Sequence, residues 1–376
     1  MESPLWNRFT VLAVWIVRVL GASCAIATLL PLLPTGFWWV RGWDFPRLQV
    51  AVLLFVILAT AVVCRGAFTA PKEFVAWLSV LGAACAWQVS HVVRFTAVWP
   101  DEIRSVSAEG NTCRLLVVNL NYENDAHAAV IAEIRDLDPD VLILIEVDEA
   151  WHDGLSSLRT DYEYHHDEIR GDGLGLCLWS KLRLQAAETE FLVEDRRPSI
   201  WAQLVHSESL VNLVAVHPTP PGLRDATGES RRDSRVRDAE LVLIAKQIAE
   251  RQSEAWIVAG DFNDVAWSHT TRLFKRLSGL KDPRIGRTYM GTYPADFPLL
   301  SFPIDHVFLS DGFAVADLSR HGMTGSDHFG VSAVIAWSGS PARVTPEPEG
   351  DDRDEASEIV EEGIQDAKER GVLSND

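Results

Sequence analysis

Arg114 to Val147 reads RLLVVNLNYENDAHAAVIAEIRDLDPDVLILIEV. Arg114 to Leu120 is a short apolar run of strand type, and Ala126 to Leu137 places Ala129, Ile131, Ile134 and Leu137 at helical spacing. Asp140 to Val147 reads as a buried apolar strand entered through Asp138-Pro139. The order is strand, helix, strand. Downstream come further strand candidates at Leu174 to Trp179, Ile200 to Val205, Leu210 to His217, Trp256 to Ala259, Ile304 to Leu309 and Val331 to Trp337. Arg237 to Gln252 carries Leu241, Ile244 and Ile248 on one helical face. So many strands with so few helices predict an α+β sandwich of two sheets with flanking helices rather than a uniform βαβ repeat.

Outward from this body the composition changes. The chain has 376 residues and is 47% apolar, which excludes a disordered or collagen-like polypeptide. Its net charge of −19 is unevenly spread: residues 1–100 carry +4, residues 341–376 carry −8, and the body between them carries −15. Eight of the fourteen Trp lie in the first hundred residues, so an apolar, Trp-rich head precedes an acidic body and a more acidic end.

The head has three long apolar runs, Phe9 to Leu33, Leu48 to Cys64 and Phe74 to Val93. A span needs about 20 residues to cross roughly 30 Å of hydrocarbon, and three transmembrane helices are expected. Trp6, Trp38, Trp39, Trp43 and Trp99 fall near the ends of these runs, where an indole prefers the headgroup layer. Arg18, inside the first run, reads as a snorkelling or interhelical contact. Apolar sequence continues past Cys24 and more runs follow, so an uncleaved multi-pass anchor is expected in place of a signal peptide. The short positive N-terminus favours an extracytoplasmic body.

Domain limits follow: a membrane anchor over 1–100, a catalytic domain over 101–340, and an acidic tail over 341–376. In the tail, Pro341, Pro346 and Pro348 precede a charged run, read as linker or disorder, with a short amphipathic helix on Ile359, Ile364 and Val372 as the alternative. Five cysteines form no Cys-x-x-Cys pair. They read as buried small hydrophobes, with a Cys113 to Cys177 disulfide as the alternative.

Polar residues end the apolar runs of the body. Asn119, Glu146 and His217 each close one; Asp261 and Asn263 follow Trp256 to Gly260; Asp305-His306 and Asp327-His328 come last. In a sandwich such strand ends can converge on one mouth. Oxygen ligands with an imidazole there suit Mg²⁺ or Mn²⁺ better than zinc.

At this point the chain resembles the endonuclease/exonuclease/phosphatase superfamily of metal-dependent phosphoesterases, from Arg114 to Trp337. The pieces stand in the family's order: Val118-Asn119, Pro139-Asp140-Val141 leading to Glu146-Val147, His217-Pro218, Gly260-Asp261-Phe262-Asn263, Ile304-Asp305-His306, and Gly325-Ser326-Asp327-His328. With His217-Pro218-Thr219-Pro220-Pro221 and the apolar head, the chain is most similar to the bacterial membrane-anchored subgroup. The resemblance implies a DNase I-like, four-layer α/β sandwich of two mostly antiparallel sheets flanked by helices. It also implies roles: Glu146, Asn119 and Asp327 on the metal, His328 oriented by Asp305 as general base, and Asp261 positioning water. Asn263 would donate to phosphoryl oxygens and His217 would bind phosphate or protonate the leaving group. His306 is expected to be a structural contact. Arg231, Arg232, Arg235 and Arg237 are read as a salt-bridged, solvated face.

Departures narrow the activity. Asn121 stands where abasic-site nucleases of this family have an Asp, and their Tyr-containing motif has no match near His217-Pro218. A body of −15 opposes tight DNA binding, which rests on Lys/Arg neutralising phosphates. The expected protein is a membrane-anchored, divalent-metal-dependent phosphodiesterase or phosphatase. Its expected partners are the membrane and a phosphoester substrate, a small molecule, lipid head group or nucleic acid; no protein partner is inferable. A nuclease, or an inactive membrane-tethered binding module of the same fold, are the alternatives.

Overall fold

The computed structural model describes residues 4–33, 35–68, 70–108, 111–206, 209–222, 233–251, 253–337 and 346–373. Arg231, Arg232 and the loop before them lie outside the described residues, as does the start of the proline-containing segment at Pro341. The chain divides into two units, Met1–Arg94 and Phe95–Asp376.

The first unit is helical: α1 (Pro4–Leu29), the short α2 (Trp38–Arg41), α3 (Arg47–Val63) and α4 (Pro71–Val92). Val17, Cys24, Leu54, Ile57, Leu81 and Ala84 pack between them. Arg18 reaches from α1 to Glu73 at the start of α4, an ion pair of 2.5 Å, so it is an interhelical contact. Two segments, Thr10–Leu32 and Pro71–Phe95, are long and apolar enough to cross a membrane. The expectation of three transmembrane helices holds for two and not for the middle one, because Trp38–Asp44 and Arg47–Val63 meet at a 69° bend and pass only as a broken pair. Pro46 causes the break: it lies outside helical geometry at φ −82°, ψ 31° and cannot donate a backbone hydrogen bond.

The second unit is built from β1 (Thr112–Asn119), α5 (His127–Leu137), β2 (Val141–Ile145), α6 (Glu149–Gly154), α7 (Ser156–Arg159), β3 (Tyr164–Glu168), β4 (Leu176–Ser180) and β5 (Leu184–Glu190). It continues through β6 (Ser199–His206), β7 (Ser209–Val216), α8 (Arg235–Ala249), β8 (Ala255–Asp261), α9 (His269–Ser278), β9 (Asp305–Leu309), β10 (Phe313–Gly322), β11 (Phe329–Trp337) and α10 (Asp352–Arg370). One sheet has the order β10-β11-β1-β2-β4-β3, the other β5-β6-β7-β8-β9. Neighbours are antiparallel except β1/β2 and β7/β8, which are parallel, so both sheets are mixed.

Alternation along the strands makes the layers. Leu115, Val117 and Ile143 face Leu213, Ala215 and Ile257 between the sheets. Leu116, Val118 and Leu144 point the other way, onto Val130, Ile134 and Trp151 of α5 and α6. On the far side Val214, Val258 and Phe308 meet Leu241, Ile244 and Phe274 of α8 and α9. Central strands buried on both faces must be apolar at every position, which is why they are continuous apolar runs in the sequence. Each parallel pair needs a crossover, supplied by α5 and by α8.

Cys113 and Cys177 are buried free thiols, so the disulfide alternative is not what the chain forms. The acidic end also departs from expectation: α10 lies against α8, where linker or disorder was expected. Ala356, Ala367 and Val372 are buried, and a Cβ at Gly363 would lie 2.3 Å from that of Ala239, so the helices meet closely there. Asp352 pairs with Arg276 at 2.6 Å, Glu355 with His269 at 2.5 Å and Glu362 with Arg235 at 3.5 Å. Part of the acidity read as solvated is partnered to the body's cations.

Candidate active site

The two parallel pairs end at the same place. Asn119 closes β1, Glu146 follows β2, His217 follows β7 and Asp261 closes β8; Asp305 opens β9 and His328 immediately precedes β11. Gly260 permits the close approach of β7 and β8, since a Cβ there would sit 2.0 Å from the Val216 carbonyl oxygen, at a φ of 150°.

Asn119 is the link between the sheets. Its Nδ2 donates to Glu146 Oε1 at 3.2 Å and Asp261 Oδ2 at 3.3 Å. Glu146 has a φ of 64°, uncommon for a residue with a Cβ. Its Oε2 accepts from the Tyr122 backbone N–H at 3.2 Å, so both carboxylate oxygens are held. Such a conformation costs about 1–3 kcal/mol and persists where the surroundings over-determine it. His217 Nε2 lies 4.0 Å from Glu146 Oε1 and 3.9 Å from Asp261 Oδ2. Behind it, buried Arg197 places Nη1 3.3 Å from both ring nitrogens.

His328 Nδ1 is 2.9 Å from Asp305 Oδ2. A carboxylate accepts, so Nδ1 donates and Nε2 faces Asp261 Oδ2, 3.8 Å away. Burial opposes charge on this ring, but Asp305 and Asp261 outweigh it and raise its pKa to about 10. Asp261 is pushed up to about 7 by burial and by Asp305, with His328 pulling the other way. Ligand atoms of Asp261, Asp305 and His328 lie within 4.8 Å of one another, a separation that a metal ion could bridge.

The other expected residues sit differently. Asn263, at φ 51°, donates from Nδ2 to the Pro218 carbonyl at 3.0 Å, and its own carbonyl accepts from Arg237. Asp327 is half-buried beside His328, and its backbone carbonyl accepts from Ala295 at 2.7 Å. His306 is buried between Arg284 and the Asp264 carbonyl, against Phe262 and Phe308. Burial and Arg284 hold its pKa well below the ordinary value. It is a packing residue. Arg237 is fully buried on Asp238, and so is not part of a solvated face.

Four neighbours were not among the candidates. Tyr293 places its ring 4.8 Å from that of His328. Thr292 Oγ1 accepts from the Asp305 backbone at 3.2 Å. Ser326 Oγ donates to the Asn119 carbonyl at 2.7 Å and accepts from the His328 N–H at 3.0 Å. Arg197 is the fourth. Of these only Ser326 had a signal, inside Gly325-Ser326-Asp327-His328.

Comparison with known proteins agrees with this architecture. No curated protein sequence matches the chain. The solved structure of D. rerio TDP2, humanized by 14 mutations, is similar at a TM-score of 0.51 and 16% identity, over 60% of this chain and 100% of that one. The human Nocturnin catalytic domain with bound sulfate gives 0.48 and 15%, over 63% of this chain and 97% of that one. An endonuclease/exonuclease/phosphatase from Beutenbergia cavernae gives 0.48 and 17%, over 63% and 74%. At these identities the first shows a shared fold and nothing finer. The sequence profile of the Endonuclease/Exonuclease/phosphatase family matches residues 116–328, a stretch that runs from β1 through His328, and the chain belongs to that family.

Proposed function

We propose that this chain is a membrane-anchored, divalent-metal-dependent phosphoesterase. The observation that carries the reading is the convergence of Asn119, Glu146, His217, Asp261, Asp305 and His328 at one end of the sandwich, with Asp305 and His328 joined as a dyad. The donor set fits a hard cation: carboxylate and amide oxygens dominate, and Asp261 is a buried acid whose charged form has too little compensation. Glu146 and Asn119 would hold Mg²⁺ or Mn²⁺, with Asp327 at its margin. Bound there, the ion would polarise the phosphoryl group and offset charge on the leaving oxygen.

The residues do the rest. Asp305 fixes the His328 tautomer so that Nε2 accepts the proton of the attacking water, and stabilises the imidazolium that results. Asp261, between His328 and His217, positions that water. His217, with Arg197 on its ring, binds a phosphoryl oxygen or supplies the leaving group's proton. Asn263 contributes its remaining amide hydrogen to the phosphoryl oxygens. The two apolar segments anchor the chain, with the body favoured outside the cytoplasm. An inactive binding module would have no call for the complete set, and the body's −15 weighs against a nuclease.

The test is hydrolysis of bis-p-nitrophenyl phosphate by the detergent-solubilised full chain. Turnover is expected to need Mg²⁺ or Mn²⁺ and to disappear in Glu146→Ala and His328→Ala. Metal-independent turnover, or either variant at full rate, would overturn the reading.

A further inference from the structure

One loop carries the largest apolar exposure of the body. Tyr293 and Phe302 pair as an isolated antiparallel bridge, and between them the chain makes a turn closed by Leu300 N–H on the Phe297 carbonyl at 2.8 Å. At its tip Leu299 is 92% exposed, Phe297 62% and Leu300 54%. The loop is held at its base: Tyr289 Oη donates to the Ser301 carbonyl at 3.2 Å, and Ser301 Oγ to that of Pro298 at 2.9 Å. Three adjacent apolar side chains on a held loop mark an interaction surface.

Two further observations say what covers it. The loop borders the site: Tyr293 lies on the His328 ring and Ala295 N–H on the Asp327 carbonyl. It also borders the body's own N-terminal end at Phe95. Phe95 packs on Trp267 at 5.6 Å, Trp267 stacks on Tyr289 at 5.4 Å, and Tyr289 holds Ser301. Val98 and Trp99, just past Phe95, are 82% and 40% exposed. The N-terminal end of the body, to which the apolar segments are joined in sequence, therefore lies two ring contacts from the loop base.

We propose that the tip Phe297-Pro298-Leu299-Leu300 inserts at the headgroup boundary of the bilayer that anchors the chain, and that the site hydrolyses the phosphoester of a phospholipid headgroup. This rests on the phosphoesterase reading and names its substrate class. The dimensions agree. Four residues from Tyr293 to Phe297 span at most about 14 Å, and one headgroup layer is roughly 5–8 Å thick, so a tip at the acyl boundary sets the mouth near the phosphates. A net charge of −15 on the body and an acidic residue, Asp296, in the loop favour a zwitterionic headgroup over an anionic one. In the reaction the water oxygen bonds to phosphorus, one P–O ester bond breaks, and the leaving oxygen takes up a proton. A diester and water become a monoester and an alcohol.

The experiment uses the full chain in phosphatidylcholine vesicles. One arm follows lipid loss by mass spectrometry, and a second follows bis-p-nitrophenyl phosphate in the same vesicles. Phe297→Ser/Leu299→Ser/Leu300→Ser should lower lipid hydrolysis on the order of tenfold or more, with the soluble diester cleaved within about twofold of wild type. A third arm reads a spin label on Leu299→Cys, expected to collide with oxygen in preference to an aqueous nickel chelate. Equal loss on both substrates, no loss on the lipid, a wild type that cleaves only the soluble diester, or a water-exposed label would each overturn the proposal. A wild type that cleaves neither would instead overturn the phosphoesterase reading, while the label still reports the loop.

Discussion

Replacing Asp305 with Asn keeps the shape of the side chain and removes its charge. In the wild type, Asp305 Oδ2 accepts from His328 Nδ1 at 2.9 Å and helps raise the imidazole to about 10. With a pKa there, about one ring in a thousand is neutral at pH 7, so the base becomes available as pH rises. The amide lowers that pKa, and the acidic limb of the rate profile should move down towards the ordinary histidine range. A divalent cation beside Asp261 lowers the value in both proteins and leaves the sign of the difference. The alkaline plateau should nonetheless fall, because Asn neither fixes the tautomer nor stabilises the imidazolium. General-base catalysis contributes about 10²–10⁴-fold, so the plateau should fall by that order, about 3–5 kcal/mol of barrier. The assay is the rate on bis-p-nitrophenyl phosphate at saturating Mg²⁺ from roughly pH 6 to about pH 11.5, with circular dichroism melts at each pH. A plateau within tenfold of wild type, or a limb that does not move, would refute the dyad.

Three further outcomes are expected. Glu146→Gln should weaken the stabilisation that Mg²⁺ gives in a thermal melt and reduce turnover about 100-fold or more; an undiminished metal shift would remove Glu146 from the metal site. Glu240 is fully buried, neither of its oxygens has a hydrogen-bond partner among the described residues, and burial with Glu194 raises its pKa to about 8. The folded state therefore keeps a proton that the unfolded state has lost, and stability falls as pH rises from the ordinary Glu value of 4.5 through 8. Glu240→Gln should then be more stable than wild type at high pH, by at most about 5 kcal/mol, and equal to it near pH 4; denaturant melts at both ends decide this. Truncation after Gly350 removes α10, uncovers Ala239 and Val236, and should cost at least about 2 kcal/mol in the same melts; an unchanged midpoint would make the helix an ornament.

The sandwich was legible because its central strands are buried on both faces. Val141–Ile145 and Trp256–Ala259 are apolar at every position, and the polar residue that ends each one stands out. β3, β5 and β10 carry no such signal because they lie at sheet edges, where YHHDE and LQAAETE have no fully buried position and no apolar run is needed. α9 was missed although Ser268 caps it and Gly279 ends it, since HTTRLFKRLS lacks a long apolar face. The site candidates at strand ends came together, while Tyr293, Thr292 and Arg197 arrive from loops whose course depends on tertiary packing. α10 reads first as a solvated run for a related reason: the cations its acidic residues meet, Arg276 and Arg235, lie on other elements.

Asn119, Glu146 and His328 belong to one sheet, and His217, Asp261 and Asp305 to the other. No hairpin or βαβ unit contains the whole set, so no partly folded fragment could rehearse the chemistry. A cation on Glu146 and Asn119 would brace the amide that reaches across to Asp261 of the other sheet, resisting separation of the two sheets. At a hundredfold excess over its dissociation constant such an ion adds about 2.7 kcal/mol to the folded state. Loss of turnover on heating should then coincide with melting of the sandwich, and an excess of chelator should bring both to lower temperature together.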